Sequence, residues 1–365
     1  MIIYIISNIN KAIAFEWIAK EFNQDIYFII LNPFKDSDLE IYFRENNIKY
    51  SFLRLTSKKD YPLLFMKIMQ LFLKFKPKVV HTHLRDANFL GLTTSWLLRI
   101  KKRIYTRHSS TFNKELYPQS VKYDKLCNYL ATDVVAISQN VRDVLLEEGC
   151  SKEKIHLIHH GFDLDAFTKV NEKDVTLLKK KYDIPHDSII IGVIARYINW
   201  KGHNYIIEAF KRIRKENPKC LLILANALGP DKERIQNLLK NKLIENSYVE
   251  IPFENNLFAL YKCFDYYIHT PINKEIEAFG QTYVEALAAR IPSVFTLSGV
   301  APEFIKDKQN ALVVPFCDSN AIYNAMKLYL SNGELQKTII RNGKIDVQNY
   351  FTLNLFFTKL KSLYQ

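Results

Sequence analysis

Short, apolar, β-branched runs alternate with longer amphipathic segments through both halves of this chain, and that rhythm limits the folds open to it. Runs at 2–6, 25–31, 78–83, 103–106, 133–137 and 154–159 are apolar on both faces, as parallel strands covered on both sides must be. Helical periodicity fills the intervals at 12–22, 39–46, 61–76, 90–99, 122–130 and 139–148. The rhythm lapses in the charged stretch KVNEKDVTLLKKKYDIP, residues 169–185. It then resumes with strands expected at 189–194, 220–225, 249–251, 266–269, 293–296 and 311–314, and helices at 204–216, 232–243, 257–263, 283–289 and 320–330. The expectation is an α/β chain of two Rossmann-like, doubly wound parallel-sheet domains facing a cleft. The first would be 1–167, the linker 168–185 and the second 186–348, with a further helix at about 349–365.

At 365 residues the chain is long enough for two such domains. Five cysteines, an odd number without CxxC spacing, fit a reduced compartment and no zinc module. No run of about 18 uncharged apolar residues suggests a membrane span. The apolar start lacks a basic leader and a small-residue cleavage site, so it reads as a buried strand and not a signal peptide. Net charge is +13, and residues 58–107 hold twelve Lys or Arg against Asp60 and Asp86. With YPLLFMKIMQLFLKFK at 61–76, the segment 61–107 reads as a contact with an anionic membrane surface; the alternative is a helix buried against the sheet with lysines at its edge. Nucleic acid is not expected as a partner, because no zinc finger, trusted helix-turn-helix or aromatic RNP-like strand is present.

Two loops carry chemistry. In GVIARYINWKGH, residues 192–203, Arg196 and Lys201 follow a strand, which suits a diphosphate held by a forked and a point-like cation. Gly202 lets backbone approach a ligand closely. In EAFGQTYVEAL, residues 277–287, Gly280 precedes a helix expected from Gln281, whose N-terminus suits phosphate. Glu277 and Glu285 flank it and can accept hydrogen bonds from hydroxyl-rich ligands. Each loop has a plain alternative, a solvated basic loop or an ordinary helix carboxylate. Asp163-Leu164-Asp165 matches a DxD metal pattern but follows the His160-Gly161 turn. His81 and His83, and the pair His159 and His160, lack a nearby Cys or third ligand for zinc.

Taken in order, these motifs resemble the group 1 (family 4) retaining glycosyltransferases of GT-B fold. Ala195-Arg196, Lys201-Gly202, LANALGP at 224–230, FDYYIHTP at 264–271, Glu277-x7-Glu285, SGVAPEFI at 298–305 and NALVVP at 310–315 follow the family's spacing. VVHTH at 79–83, TRHS at 106–109 and IHHGFD at 158–163 extend the likeness into the first half. The resemblance implies that Arg196 and Lys201 hold the donor diphosphate. Glu277 would meet sugar hydroxyls, with Ala278, Phe279, Gly280, Gln281 and Thr282 around sugar and phosphate. Glu285 would hold the ribose, and His108 would face the sugar from the first domain. It also implies front-face transfer from a nucleotide-diphosphate sugar to a glycan or lipid-linked acceptor, with no cofactor and no metal. The final helix would cross back onto the first domain. The setting would be bacterial surface polysaccharide or lipopolysaccharide synthesis, cytoplasmic or peripheral on the inner face of the plasma membrane. A nucleotide-sugar epimerase or hydrolase of the same fold, or a non-catalytic membrane-associated scaffold, are the alternatives.

Overall fold

The computed structural model describes residues 1–111, 114 and 118–365. They form two compact units, Met1–Phe162 with Leu353–Gln365, and Asp163–Thr352.

The first unit is built on parallel strands β1 (Ile2–Ser7), β2 (Ile26–Asn32), β3 (Tyr50–Arg54), β4 (Val79–His83), β5 (Lys102–Arg107), β6 (Asp133–Ala136) and β7 (Ile155–Leu157). They lie in the order β3-β2-β1-β4-β5-β6-β7, so the order reverses between β1 and β4. Side chains alternate across the sheet. Ile3, Ile5, Ile29, Leu31 and Val80 meet Leu64, Ile68 and Phe72 of helix Tyr61–Phe75. Tyr4, Ile6, Phe28 and Ile30 meet Phe15, Ile18 and Phe22 of helix Ile13–Phe22, and Phe357 and Leu360 of the final helix Leu353–Tyr364. Gly161 admits this last helix: a Cβ there would lie 2.6 Å from Phe356 Cβ and 3.1 Å from Leu353 Cα.

The second unit repeats the plan with β8 (Ile189–Ile194), β9 (Cys220–Ala225), β10 (Tyr248–Ile251), β11 (Tyr266–His269), β12 (Ser293–Phe295) and β13 (Leu312–Val313). Their order is β10-β9-β8-β11-β12-β13, reversing between β8 and β11. Both sheets thus carry the Rossmann strand order, which opens a ligand crevice beyond the carboxyl ends at each reversal.

Several elements differ from the sequence reading. Strand β3 was not expected; it is an edge strand bonded only to β2, with a single buried residue, Leu53. Helix Arg85–Leu97 begins five residues earlier than expected, directly after β4. The stretch 168–185 is no linker. It lies within the second unit and contains helix Glu172–Lys181, capped by Asn171, with Val175 and Leu178 buried. Its charges occupy the outer face, so a charged composition conceals a short apolar stripe. The segment expected as one helix at 349–365 is split: helix Gly333–Tyr350 ends at Phe351, which is buried against Phe279 and Phe304, and Leu353–Tyr364 starts anew in the first unit. Helix Tyr61–Phe75 buries one stripe against the sheet, yet Leu63, Met66 and Leu73 stay 49–60% exposed on the other side. No described helix is long and apolar enough to cross a membrane.

Candidate functional site

The crevice of the second unit gathers most of the expected residues. Arg196 stands exposed just past the end of β8. A 3-10 turn, Asn199–Lys201, turns the chain toward β11. Gly202 follows with φ of +74°, and a Cβ there would lie 2.1 Å from the Thr270 carbonyl oxygen. Only glycine lets the loop pack this closely on the end of β11. Lys201 is thereby aimed at Glu277, and its ammonium pairs with Oε1 of that carboxylate. Its other flank lies over the Trp200 ring, 4.4 Å from the centroid.

Glu277 is buried. Burial alone would push its carboxyl upward, but the Lys201 charge and His269 outweigh this and hold it at about 2. His269 ends β11 and brings Nε2 to 3.2 Å from the same Oε1. The loop carrying Glu277 is fixed by backbone bonds from Gly299 to the Lys274 carbonyl and from Val300 to the Phe279 carbonyl. Ala278 and Phe279 continue that loop, and Gly280, at φ of +83°, caps helix Gln281–Ala288. The first N–H groups of this helix, at Gln281 and Thr282, have no partner within the helix by geometry, and the dipole end favours an anion there. Two further polar groups nearby, Thr270 Oγ1 and Trp200 Nε1, are buried with no hydrogen-bond partner among the described residues. Buried polar atoms of this kind suit a polar ligand.

Glu285 lies about one turn into the same helix and is buried; its Oε2 accepts from the Tyr261 hydroxyl at 2.7 Å. Burial pushes its carboxyl up to about 7, against the opposing effect of the Tyr261 hydrogen bond. Glu277 and Glu285 are therefore different groups near neutral pH, the first a fixed anion and the second poised to gain or lose a proton.

The first unit holds His108, two residues beyond the Thr106 that lies opposite His83 in the β4–β5 register. His108 Nε2 is 3.1 Å from His83 Nδ1, and its ring stacks on His160 at 5.7 Å between centroids. His81 and His83, on one face of β4, stack at 4.4 Å. His81 is also held by Thr106 Oγ1 at 2.8 Å and the Tyr364 hydroxyl at 2.7 Å. Burial lowers all four, to about 3 for His81 and His160, about 4 for His108, and well below the usual range for His83. Neutral imidazoles can exchange hydrogen bonds with hydroxyl groups without attracting a second charge.

The other expected groups are engaged locally. Asp163 caps the 3-10 turn Leu164–Phe167, and Asp165 pairs with Lys169 at 2.8 Å. Among the described residues no group of three or more His, Cys, Asp or Glu comes together as metal ligands. The reading by motif did not find His269, Trp200 or Tyr261. Their types were visible in the sequence, but only the turn at Gly202 and the burial of Glu285 give them partners.

A lysine–carboxylate pair and a helix N-terminus meet at the strand reversal of a Rossmann-ordered unit, and two Rossmann-ordered units share one chain. The family pattern described as glycosyl transferases group 1 matches residues 174–346, and that described as glycosyltransferase family 4 matches 24–166. The chain belongs to the group 1 glycosyltransferases, and its fold is GT-B. It is 25% identical over 314 residues to the capsular polysaccharide biosynthesis glycosyltransferase CapM of Staphylococcus aureus, covering 82% of this chain and 79% of that protein. It is 25% identical over 300 residues to the alpha-monoglucosyldiacylglycerol synthase of Acholeplasma laidlawii, covering 76% and 72%. Among solved structures, Anabaena HepE in complex with UDP-glucose superposes over 100% of this chain and 99% of its own, with a TM-score of 0.86 and 19% identity.

Proposed function

We propose that this glycosyltransferase takes its sugar from a nucleotide-diphosphate sugar, retains the anomeric configuration and works without a metal. The observation that carries the reading is the Lys201–Glu277 pair at the β8–β11 reversal, beside Arg196 and the N-terminus of helix Gln281–Ala288. In this reading Arg196, Lys201 and the first N–H groups of that helix hold the two phosphates and absorb the charge that grows on the leaving diphosphate. Glu277 is already ionised and oriented by Lys201 and His269, and in this reading it meets a sugar hydroxyl. Glu285 accepts from the ribose hydroxyls. Breaking the C1–O bond sends its electron pair to the diphosphate. The acceptor oxygen attacks C1 from the same face, and its proton passes to the departing phosphate oxygen. Positioning and charge stabilisation then supply the rate, and no enzyme nucleophile is required. His108 contributes as an uncharged hydrogen-bonding group on the sugar.

A uridine donor is the first to test, because HepE is described with UDP-glucose. The acceptor is read as a glycan or lipid-linked glycan of a surface polysaccharide, in keeping with the capsular and glycolipid enzymes among the relatives. We read the protein as a cytoplasmic one that rests peripherally on anionic membrane through the outer face of helix Tyr61–Phe75, which keeps Leu63, Met66 and Leu73 exposed among lysines. The deciding experiment is a thermal-shift panel of UDP, GDP, ADP, CMP and their sugars, with and without EDTA. A ligand at 100 times its Kd adds about 2.7 kcal/mol of stability. Stabilisation by one diphosphate, unchanged by EDTA, supports the donor site and names its base. No response to any nucleotide overturns it. The anomer of the product, read by NMR, tests retention.

A further inference from the structure

A depression of about 680 Å³ opens at the far edge of the first sheet from His83 and His108, and five cations, Lys76, Lys78, Arg99, Lys101 and Lys102, line it. Val79 and Lys102, the first residues of β4 and β5, form its floor, so it lies at the amino ends of these strands. Strands of five and six residues put this edge about 16–20 Å from the carboxyl ends where α/β sheets bind their substrates. It is therefore distinct from the crevice at the carboxyl ends of this sheet, and only Tyr364, whose hydroxyl bonds His81, is shared with the histidine cluster among the residues given for its lining.

Its chemistry is one-sided. No acidic side chain is among its lining residues, Gln365 brings one main-chain carboxylate to its wall, and none of the five cations has an ion-pair partner among the described residues, so four positive charges remain in excess. Helix ends explain part of this. Lys76 closes helix Tyr61–Phe75 in the left-handed conformation, and Arg99 takes the same conformation just after helix Arg85–Leu97. A cation at each helix C-terminus offsets the dipole there. That argument does not reach Lys78, Lys101 or Lys102, and unpaired like charges sharing one concavity repel one another. An anion relieves that repulsion. The wall beside the cations is apolar, formed by Phe72, Leu73, Leu98 and Ile100. Leu73 of that wall is 58% exposed, and Trp96 and Leu97, which directly precede the lining residue Leu98, are 47% and 54% exposed. A soluble phosphate compound has no use for such an apolar surface, whereas a phospholipid offers both a phosphate and chains to lie on it.

We infer that this depression binds the phosphate of one anionic phospholipid, with its acyl chains against Leu73, Trp96 and Leu97. The inference deepens the membrane reading above and rests on it. It replaces a diffuse attraction between surface lysines and a bilayer with a specific lipid site, and it fixes which edge of the first sheet meets the membrane.

The test is co-sedimentation of the full chain with vesicles of phosphatidylcholine alone and of phosphatidylcholine mixed with phosphatidylglycerol. Three proteins are compared: the unaltered chain, Lys76→Ser/Arg99→Ser/Lys101→Ser, and the control Lys180→Ser/Lys215→Ser/Lys240→Ser, which loses the same charge from the second unit. All six side chains are exposed, so folding should survive, and a thermal melt checks it. Each cation near an anionic surface is worth about fivefold in partitioning, so the depression triple should lose about a hundredfold on mixed vesicles while the control loses far less. Equal losses in the two triples would overturn the site and leave a membrane attraction set by net charge. If the unaltered chain binds neither vesicle, both this inference and the membrane reading fall, while the nucleotide panel remains a separate test of the donor site. Binding of inorganic pyrophosphate at the same cations, as tight as vesicle binding, would overturn the lipid in favour of a soluble anion.

Discussion

Replacing Lys201 with alanine removes one partner of a buried ion pair and leaves the other, Glu277, almost enclosed at 6% exposure. The carboxyl sits at about 2 against 4.5 when free, which corresponds to roughly 3 kcal/mol in favour of the ionised form. Because the folded value is depressed, that stabilisation is present above about 4.5 and fades as pH falls toward about 2. Without Lys201, burial dominates and the carboxyl moves upward, so the variant folds with Glu277 either protonated or uncompensated. The unaltered chain should then exceed Lys201→Ala by about 3 kcal/mol at pH 7, a difference that shrinks steadily toward pH 3. Two units in one chain make a single unfolding transition unsafe. The assay is therefore native-state hydrogen exchange in the full chain, read at amides of β11 and helix Gln281–Ala288. A cycle with Glu277→Gln and the double variant isolates the pair, with an expected coupling of about 2–3 kcal/mol. A coupling below about 1 kcal/mol, or a difference that does not change with pH, would mean that the pair behaves as a solvated surface bridge, and would refute the argument.

Glu285, pushed up to about 7, should make binding of a nucleotide sugar weaken as pH falls from 8 to 6, by about tenfold per unit once its protonated form dominates; Glu285→Gln should bind weakly and without this slope in isothermal titration. Its raised value also means that the folded state gains most from a protonated Glu285 below about 4.5 and loses that gain as pH rises through about 7. His108→Ala should lower kcat by about 10- to 1000-fold with little change in nucleotide Kd, since His108 belongs to the first unit and the nucleotide is assigned to the second; an equal loss in Kd would refute the division of roles. Gly202→Ala should destabilise the second unit by at least about 2 kcal/mol and weaken nucleotide binding, because both its φ of +74° and the Thr270 carbonyl exclude a Cβ. Gly161→Ala should cost about 1–3 kcal/mol and raise hydrogen exchange in Leu353–Tyr364 before the rest of the first unit.

The doubly wound architecture was legible because parallel strands buried on both faces leave unbroken apolar runs, as in Ile2–Ser7 and Ile189–Ile194. Edge strand β3 escaped notice because, bonded on one side only, it needs no such run: Tyr50, Ser51 and Phe52 are all half-buried. The helix in the charged stretch was hidden by lysines that outnumber its two buried residues. At the site, the order of motifs was enough to single out Arg196, Lys201, Glu277 and Glu285. It could not show that Lys201 and Glu277 touch or that Glu285 is held by Tyr261, because each contact joins elements that only the β8–β11 pairing and the helix Leu257–Lys262 bring near. The union of His83 with His108 depends likewise on the β4–β5 register, and spacing along the chain carries no trace of it.

The return of Leu353–Tyr364 to the first sheet has a consequence for how the chain is made. Phe357 and Leu360 cover the face formed by Tyr4, Phe22 and Phe28, yet roughly 190 residues of the second unit are translated between that face and its cover. At 5–20 residues per second, the exposed aromatic surface waits about 10–40 s on the ribosome for its last helix. The second unit, one continuous segment, can complete itself during that interval. The nascent first unit is thus the part of the molecule most in need of a chaperone, and a ribosome stalled before residue 353 would release a product with an open, aggregation-prone sheet face.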